Sequence, residues 1–153
     1  MSNSYYEVTK STFLISTNPN LLDISAIHHY LSQESYWAQN IPLATVEKSI
    51  KYSLCFGVYD GTTQVGFARV ITDYTAFAYL CDLFIVEPYR KRGLSKWLME
   101  TIHAHPELQG LRRWMLRTRD AQGLYQQYGW EFLSLEVFEQ VMHLHKPDVY
   151  LND

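Results

Sequence analysis

The chain has no apolar run near the roughly 18–20 residues that a membrane-spanning helix needs, and no membrane partner is expected. Its first residues, Met1 to Glu7, lack a basic segment followed by an apolar one. The expectation is a cytoplasmic protein without a signal peptide. Cysteine is scarce, with two among 153 residues. Cys55 and Cys81 each sit in an apolar, strand-like run and read as buried, reduced thiols, with nothing to support a disulfide. No stretch repeats, and none has the low complexity of a linker. Positive charge is not in excess either, because the formal net charge is -3. A general polyanion binder is therefore excluded. A nucleotide-binding or RNA-binding module would use a phosphate loop of the Walker type or an aromatic RNP-like motif, and neither is present, so no nucleic-acid partner is expected. The histidines fall in pairs (His28 and His29, His103 and His105, His143 and His145) without a third ligand at metal-site spacing, so no metal is expected.

What remains is 47% apolar and 19% charged, the composition of a soluble globular protein, at a length that suits one domain spanning 1–153. Aromatics are abundant at 15%, including 12 tyrosines. The charge is unevenly spread. Eight of the 13 basic residues lie between Arg90 and Arg119: Arg90, Lys91, Arg92, Lys96, Arg112, Arg113, Arg117 and Arg119. Only Glu100 and Glu107 oppose them there. A local positive field on an acidic protein points to one specific anionic ligand.

In chain order, Thr9–Ser16 reads as a first strand. Asn18-Pro19 marks a helix start, followed by a helix face of Leu21, Ile24, Ile27, His28 and Leu31. Gln33–Gln39 is polar and aromatic together. Leu43–Lys51 reads as a second short helix. Then come strands Leu54–Tyr59, Gln64–Thr72 and Ala76–Val86, with Asp60-Gly61 as a hairpin turn, forming an antiparallel meander. A basic turn leads into a helix Leu94–His105. Arg113–Thr118 follows as a strand parallel to Ala76–Val86, because a strand-helix-strand crossover is right-handed. Thr118–Asp120 caps a helix carrying Leu124, Tyr125 and Tyr128, and Gly129 stops it. Trp130–Ser134 and Glu136–Leu144 read as two closing β runs, whose aromatic-rich surface would permit a homodimer.

The centre of this layout is Val86-Glu87-Pro88-Tyr89-Arg90-Lys91-Arg92-Gly93-Leu94-Ser95. It is a basic, glycine-containing turn between a strand and a helix. A helix N-terminus exposes unpaired N–H groups and the positive end of the macrodipole, which together bind phosphate. Gly93 allows close approach or a positive φ. Arg90-x-x-Gly93-x-Ser95 resembles motif A of the GNAT N-acetyltransferases, Q/R-x-x-G-x-G/A, with Ser95 where that family usually has Gly or Ala. Asp120-Ala121-Gln122-Gly123-Leu124-Tyr125-Gln126-Gln127-Tyr128-Gly129-Trp130 is similar to its motif B, with Trp130 for Phe and Asp120 for the usual Asn. The order of elements agrees from about Ser11 to about His145. The resemblance implies an α/β (α+β layered) GNAT fold: a mixed sheet of about seven strands, a meander followed by a βαβ unit, and about four flanking helices.

The resemblance also implies an acetyl-CoA-dependent N-acetyltransferase acting on a primary amine of a small molecule or peptide, by direct attack in a ternary complex and without a metal. The alternative is a non-catalytic acyl-CoA-binding regulator. Leu83, Phe84, Ile85 and Val86 would pair their backbone with the pantetheine arm. Backbone N–H groups of Arg90, Lys91, Arg92, Gly93, Leu94 and Ser95 would hold the pyrophosphate, with Arg90, Lys91 and Lys96 neutralising phosphate charge. Asp120 and Tyr128 would touch the coenzyme. Tyr125 would protonate the departing thiolate, a transfer between groups of comparable proton affinity. The base stays open: Asp82 as base or orienting group, Asp73 or Glu34, or a water chain. Ser35, Tyr36 and Trp37 would cover the acceptor side. Cys81 as an acyl carrier is opposed by its apolar setting.

Overall fold

The computed structural model describes residues 4–151. The chain divides into two compact units, 1–117 and 118–153, each described by itself.

The first unit is built on a six-stranded sheet in the order β1 (Glu7–Lys10), β2 (Phe13–Ser16), β3 (Leu54–Asp60), β4 (Thr63–Thr72), β5 (Phe77–Ile85) and β6 (Arg113–Leu116). The segment Thr9–Ser16, expected as one strand, is split. Ser11 takes a positive φ of 56° and turns β1 back onto β2, pairing Lys10 with Phe13. The β3–β4 hairpin turns at Gly61, with φ 59°, as Asp60-Gly61 predicts. The next turn is held by Asp73, whose carboxylate accepts the N–H groups of Thr75, Ala76 and Phe77 and the Thr75 hydroxyl. Those four donors hold its pKa far below the usual carboxylate range, the Ala76 N–H being the largest cause. Asp73 is a turn-former, which corrects its place among the base candidates. β5 and β6 run parallel, with α3 (Leu94–Ala104) as the crossover.

Asn18 caps only a single 3-10 turn, Pro19–Leu21. The helix proper, α1 (Ile24–His29), starts at Asp23, whose side chain accepts from the Ala26 N–H. It widens into a π-helical turn, Tyr30–Glu34. α2 (Leu43–Lys51) follows as expected.

One irregularity decides the geometry around β5. Phe67 of β4 lies opposite Phe84, but Arg69 lies opposite Cys81. Between them Ala68 faces two residues, Asp82 and Leu83, so β5 carries a β-bulge. Asp82 adopts φ 54° there, a conformation Asp tolerates better than most residues. The extra residue flips the alternation. Cys81 and Phe84 thus share a face with Arg69 and Phe67, while Leu80 and Ile85 share the other with Val70 and Gly66. The first face meets Tyr30, whose ring stacks on Phe84. On the second, Phe56 lies edge-on to His105, just past α3. Phe67, Leu98, Met99 and Ile102 are fully buried.

The second unit contains α4 (Gln122–Gln126) and α5 (Leu135–Phe138). The two closing β runs are not strands. Ser134 caps α5 by accepting the Val137 N–H, and a capped turn competes with an extended strand. The sheet therefore has six strands among the described residues, and the closing β surface that would have permitted a homodimer is not formed there. No helix among the described residues is long and apolar enough to cross a membrane.

Candidate active site

β5 is paired on both sides only over part of its length. Its parallel pairing with β6 ends at Leu80 opposite Leu116, while β4 continues along it to Ile85. Among the described residues no strand pairs with the Cys81–Ile85 stretch on the β6 side. Apart from the Ile85 carbonyl, which has a side-chain partner, the main-chain groups on that side form an open sheet edge that an extended ligand can pair with.

Val86 leads from this edge into a 3-10 turn, Glu87–Tyr89, and then into the basic turn. Lys91 has φ 65° and Gly93 φ 79°. Gly93 is the N-cap of α3, and no side chain caps it. The first N–H groups of a helix have no intrahelical acceptor, so this end presents donors at the place the sequence assigned to a phosphate ligand. A Cβ on Gly93 would meet no heavy atom within 4 Å, so the glycine serves the φ value and the approach of a ligand rather than internal packing. Leu94 is buried and anchors the helix start, Ser95 is half-buried, and Lys91 and Arg92 are exposed. The Arg92 guanidinium lies 4.8 Å from the Tyr89 ring centroid. The Tyr89 hydroxyl donates to Asp60 over 2.9 Å.

Arg90 behaves differently from its neighbours. Its N–H donates to the Glu87 carbonyl, so that amide is not among the open donors of the turn. Its Nε donates to the Ile85 carbonyl and its Nη2 to the Tyr30 hydroxyl, each over 3.0 Å.

On the bulge, Asp82 uses both oxygens. Oδ2 accepts from Arg69 Nε and Oδ1 from Trp37 Nε1, each over 2.8 Å. The Arg69 and Asp82 side chains are only 17% and 9% exposed. Burial is the largest single influence and works against the Arg69 charge, but attraction to Asp82, the hydrogen bond to it and the nearby Cys81 and Cys55 together raise the pKa above the usual arginine value. Arg69 Nη1 also donates to Ser53 Oγ over 3.1 Å. Each carboxylate oxygen already has a partner, which suits an anchor more than a free proton acceptor.

Tyr36 and Trp37 pack edge to face at 5.0 Å and are 38% and 40% exposed, forming a wall. Trp37 lies 6.4 Å from Tyr30, and Tyr30 stacks on Phe84 at 3.8 Å and 10°. Ser35 is buried and is occupied by the backbone: its Oγ donates to the Leu31 carbonyl over 2.6 Å and accepts the Ala38 N–H over 3.1 Å. It supports the wall and does not line it. Glu34 lies 3.7 Å from His29.

In the second unit, Thr118 Oγ1 accepts the Ala121 N–H before α4, while Asp120 is exposed. Tyr125 is on α4, 6.0 Å from the Trp130 ring. The Tyr128 N–H donates to the Tyr125 carbonyl, and Gly129 ends the element with φ 87°.

Cys55 and Cys81 are both pushed up to about 12, burial being the main cause, so neither is a ready nucleophile. Among the described residues no group of three or more His, Cys, Asp or Glu side chains is arranged to hold a metal ion. Sequence reading missed Arg69 and Tyr30. A signal existed for the first: Arg69 is the sole charge in β4 and Asp82 the sole charge in β5. Lone opposite charges on adjacent apolar strands call for each other. Nothing in the sequence marks Tyr30 among 12 tyrosines.

Residues 51–132, just over half of the chain, match the family model described as acetyltransferase (GNAT) domain. A Gibberella zeae protein provisionally named an acetyltransferase is 33% identical, covering 76% of this chain and 77% of its own. A crystal structure from Xanthomonas campestris pv. campestris, provisionally assigned to the same family, is 49% identical with a TM-score of 0.85, covering 90% of this chain and 96% of that one. A family acetyltransferase from Elizabethkingia anophelis, solved with acetyl-CoA bound, shares the fold at 12% identity and a TM-score of 0.62, covering 82% and 80% of the two chains.

Proposed function

Since the chain belongs to the GNAT acetyltransferase family, we propose that it is an acetyl-CoA-dependent N-acetyltransferase acting on a primary amine. The family model runs across residue 117, so it takes in the end of the first unit and the start of the second. The observation that carries the reading is the open edge of Cys81–Ile85 leading, within eight residues of Ile85, to an uncapped helix N-terminus at Gly93. An acyl-pantetheine arm with a diphosphate has that shape: an extended amide chain ending in a compact dianion.

In this reading the strand end Leu83–Ile85 pairs with the pantetheine amides, while Val86, expected to join it, is engaged by Val65 and Tyr89, and the Ile85 carbonyl by Arg90. The amides of Lys91 to Ser95 take the diphosphate, and Lys91 adds charge. A main-chain N–H of the bulged segment polarises the thioester carbonyl. The neutral amine attacks that carbonyl carbon, the C–S bond breaks, and the thiolate takes a proton from the Tyr125 phenol. The proton on the attacking nitrogen of the tetrahedral adduct leaves through water, because Asp82 is engaged by Arg69 and Trp37, and the Tyr125 phenolate takes a proton back from water. Asp82 then orients Trp37, and Tyr36 and Trp37 form the acceptor wall. The Tyr125 role rests on motif B alone, as do the contacts of Asp120 and Tyr128.

Tyr125→Phe separates catalysis from binding. Turnover, read as thiol released from acetyl-CoA with an amine library, should fall about 10²–10⁴-fold. CoA affinity by calorimetry should hold within a few-fold. Retained turnover would remove Tyr125 from the mechanism. Unmeasurable turnover in the wild type with intact CoA binding would favour the regulator.

A further inference from the structure

Tyr30 is 8% exposed and touches two parts of the proposed coenzyme site. Its ring lies flat on Phe84, in the strand segment with the open edge. Its hydroxyl accepts from Arg90, the first residue of the basic turn. The same guanidinium reaches back to the Ile85 carbonyl. Strand end and turn are thus tied by one planar fork and one phenol. Lysine cannot copy this, because it lacks a second donor at fixed geometry.

The tie sits where the backbone needs one. Lys91, directly after Arg90, holds a positive φ that a side chain resists. Tyr30 itself is set by an unusual feature. It opens the π-helical turn, in which the Ser35 N–H donates to the Tyr30 carbonyl over 2.8 Å. Such turns concentrate at functional sites.

We propose that Tyr30 is a positioning residue for the coenzyme: through Arg90 it fixes the diphosphate-binding turn against the strand end, and so sets how tightly the phosphate half is held. The inference rests on reading that turn as the coenzyme site. The Arg90 side chain is then a strut and not a phosphate ligand, and the turn's affinity comes from its amides and from its other cations.

Tyr30→Phe keeps the stacked ring and deletes the hydroxyl. The test compares acetyl-CoA with acetylpantetheine, a donor that lacks the phosphates. For Tyr30→Phe, the Kd for CoA and the KM for acetyl-CoA should rise about tenfold, the size of one charge-assisted hydrogen bond. kcat at saturating acetyl-CoA and kcat/KM for acetylpantetheine should stay within twofold. Arg90→Lys should show the same split, and the double variant should be no worse than either single one. An unchanged Kd in both single variants, or an equal loss with both donors, overturns the proposal while leaving the site intact. Wild-type protein that takes up no CoA would instead overturn the reading of the site itself. If Tyr30→Phe does not fold, Arg90→Lys carries the same comparison alone.

Discussion

Replacing Asp82 by Asn tests whether the bulge is held by charge. Asn has nearly the same shape, tolerates the positive φ at this position, and still offers Trp37 an acceptor. What disappears is the counter-charge of Arg69. Removing one partner of a fully buried ion pair costs about 3–5 kcal/mol, because the other charge is stranded. With 17% and 9% of the two side chains exposed, some relief by water is available, so the low end applies, about 3 kcal/mol. That is on the order of a hundredfold in the folding equilibrium. Arg69→Met should cost a similar amount by stranding Asp82. Combining the two removes both charges, and the double variant should be more stable than either single one. A coupling of about 2 kcal/mol or more is expected from urea unfolding with linear extrapolation. A coupling under about 0.5 kcal/mol is typical of exposed pairs. That result would refute the claim that this pair organises β4 and β5.

Two further outcomes follow from burial. His105 is 6% exposed, and burial lowers its pKa below 6.5, partly opposed by Glu107; burial likewise lowers that of His103. A lowered folded value means that the unfolded chain takes up protons first as the pH drops. The stability from neutral His105 is therefore full above pH 6.5 and declines below it, and His105→Gln should flatten the fall in thermal midpoint between pH 6.5 and 5. Cys55 and Cys81, raised from 9.0 to about 12, should react with a thiol reagent about a thousandfold more slowly in the folded protein than in urea at neutral pH, the thiolate being the reactive form.

The parts of the fold legible in the sequence are those where local pattern and pairing agree. Asp60-Gly61 fixes a hairpin because its turn needs a positive φ that Gly supplies. The β5–α3–β6 order fixes a parallel pair because the crossover has one hand. Ser11 breaks this kind of reading. It adopts a positive φ without being Gly, so Thr9–Ser16 looks like one strand and is two. The Trp130–Leu144 region fails for another reason. Its apolar content suits strands, but the Ser134 cap makes Leu135–Phe138 helical. In the candidate site, the turn into α3 and its positive φ at Gly93 were readable from that glycine between a strand and a helix. The bulge was not, since a single extra residue leaves no mark on a run as apolar as Tyr79–Val86.

The positions where local backbone preference is overridden explain why the site has this form. Asp82 and Lys91 both take left-handed φ values that favour glycine, and they bracket the open strand end and the turn after it. Each such residue costs of order 1–3 kcal/mol and persists only where its surroundings over-determine it. The structure supplies a restraint at both. Asp82 is held by Arg69 and Trp37, and the turn entering Lys91 by Arg90 on Ile85 and Tyr30. Ser11, Asn40 and Tyr74 also have positive φ, outside the site. The two restraints converge on one aromatic row, because Trp37 and Tyr30 are neighbours and Tyr30 lies on Phe84. The strand end beyond Leu80, where pairing with β6 stops, lies between a bulge and a turn, and both are tied to the same support. The row from Trp37 to Phe84 is that support, which is why residues far apart in the chain meet beside β5.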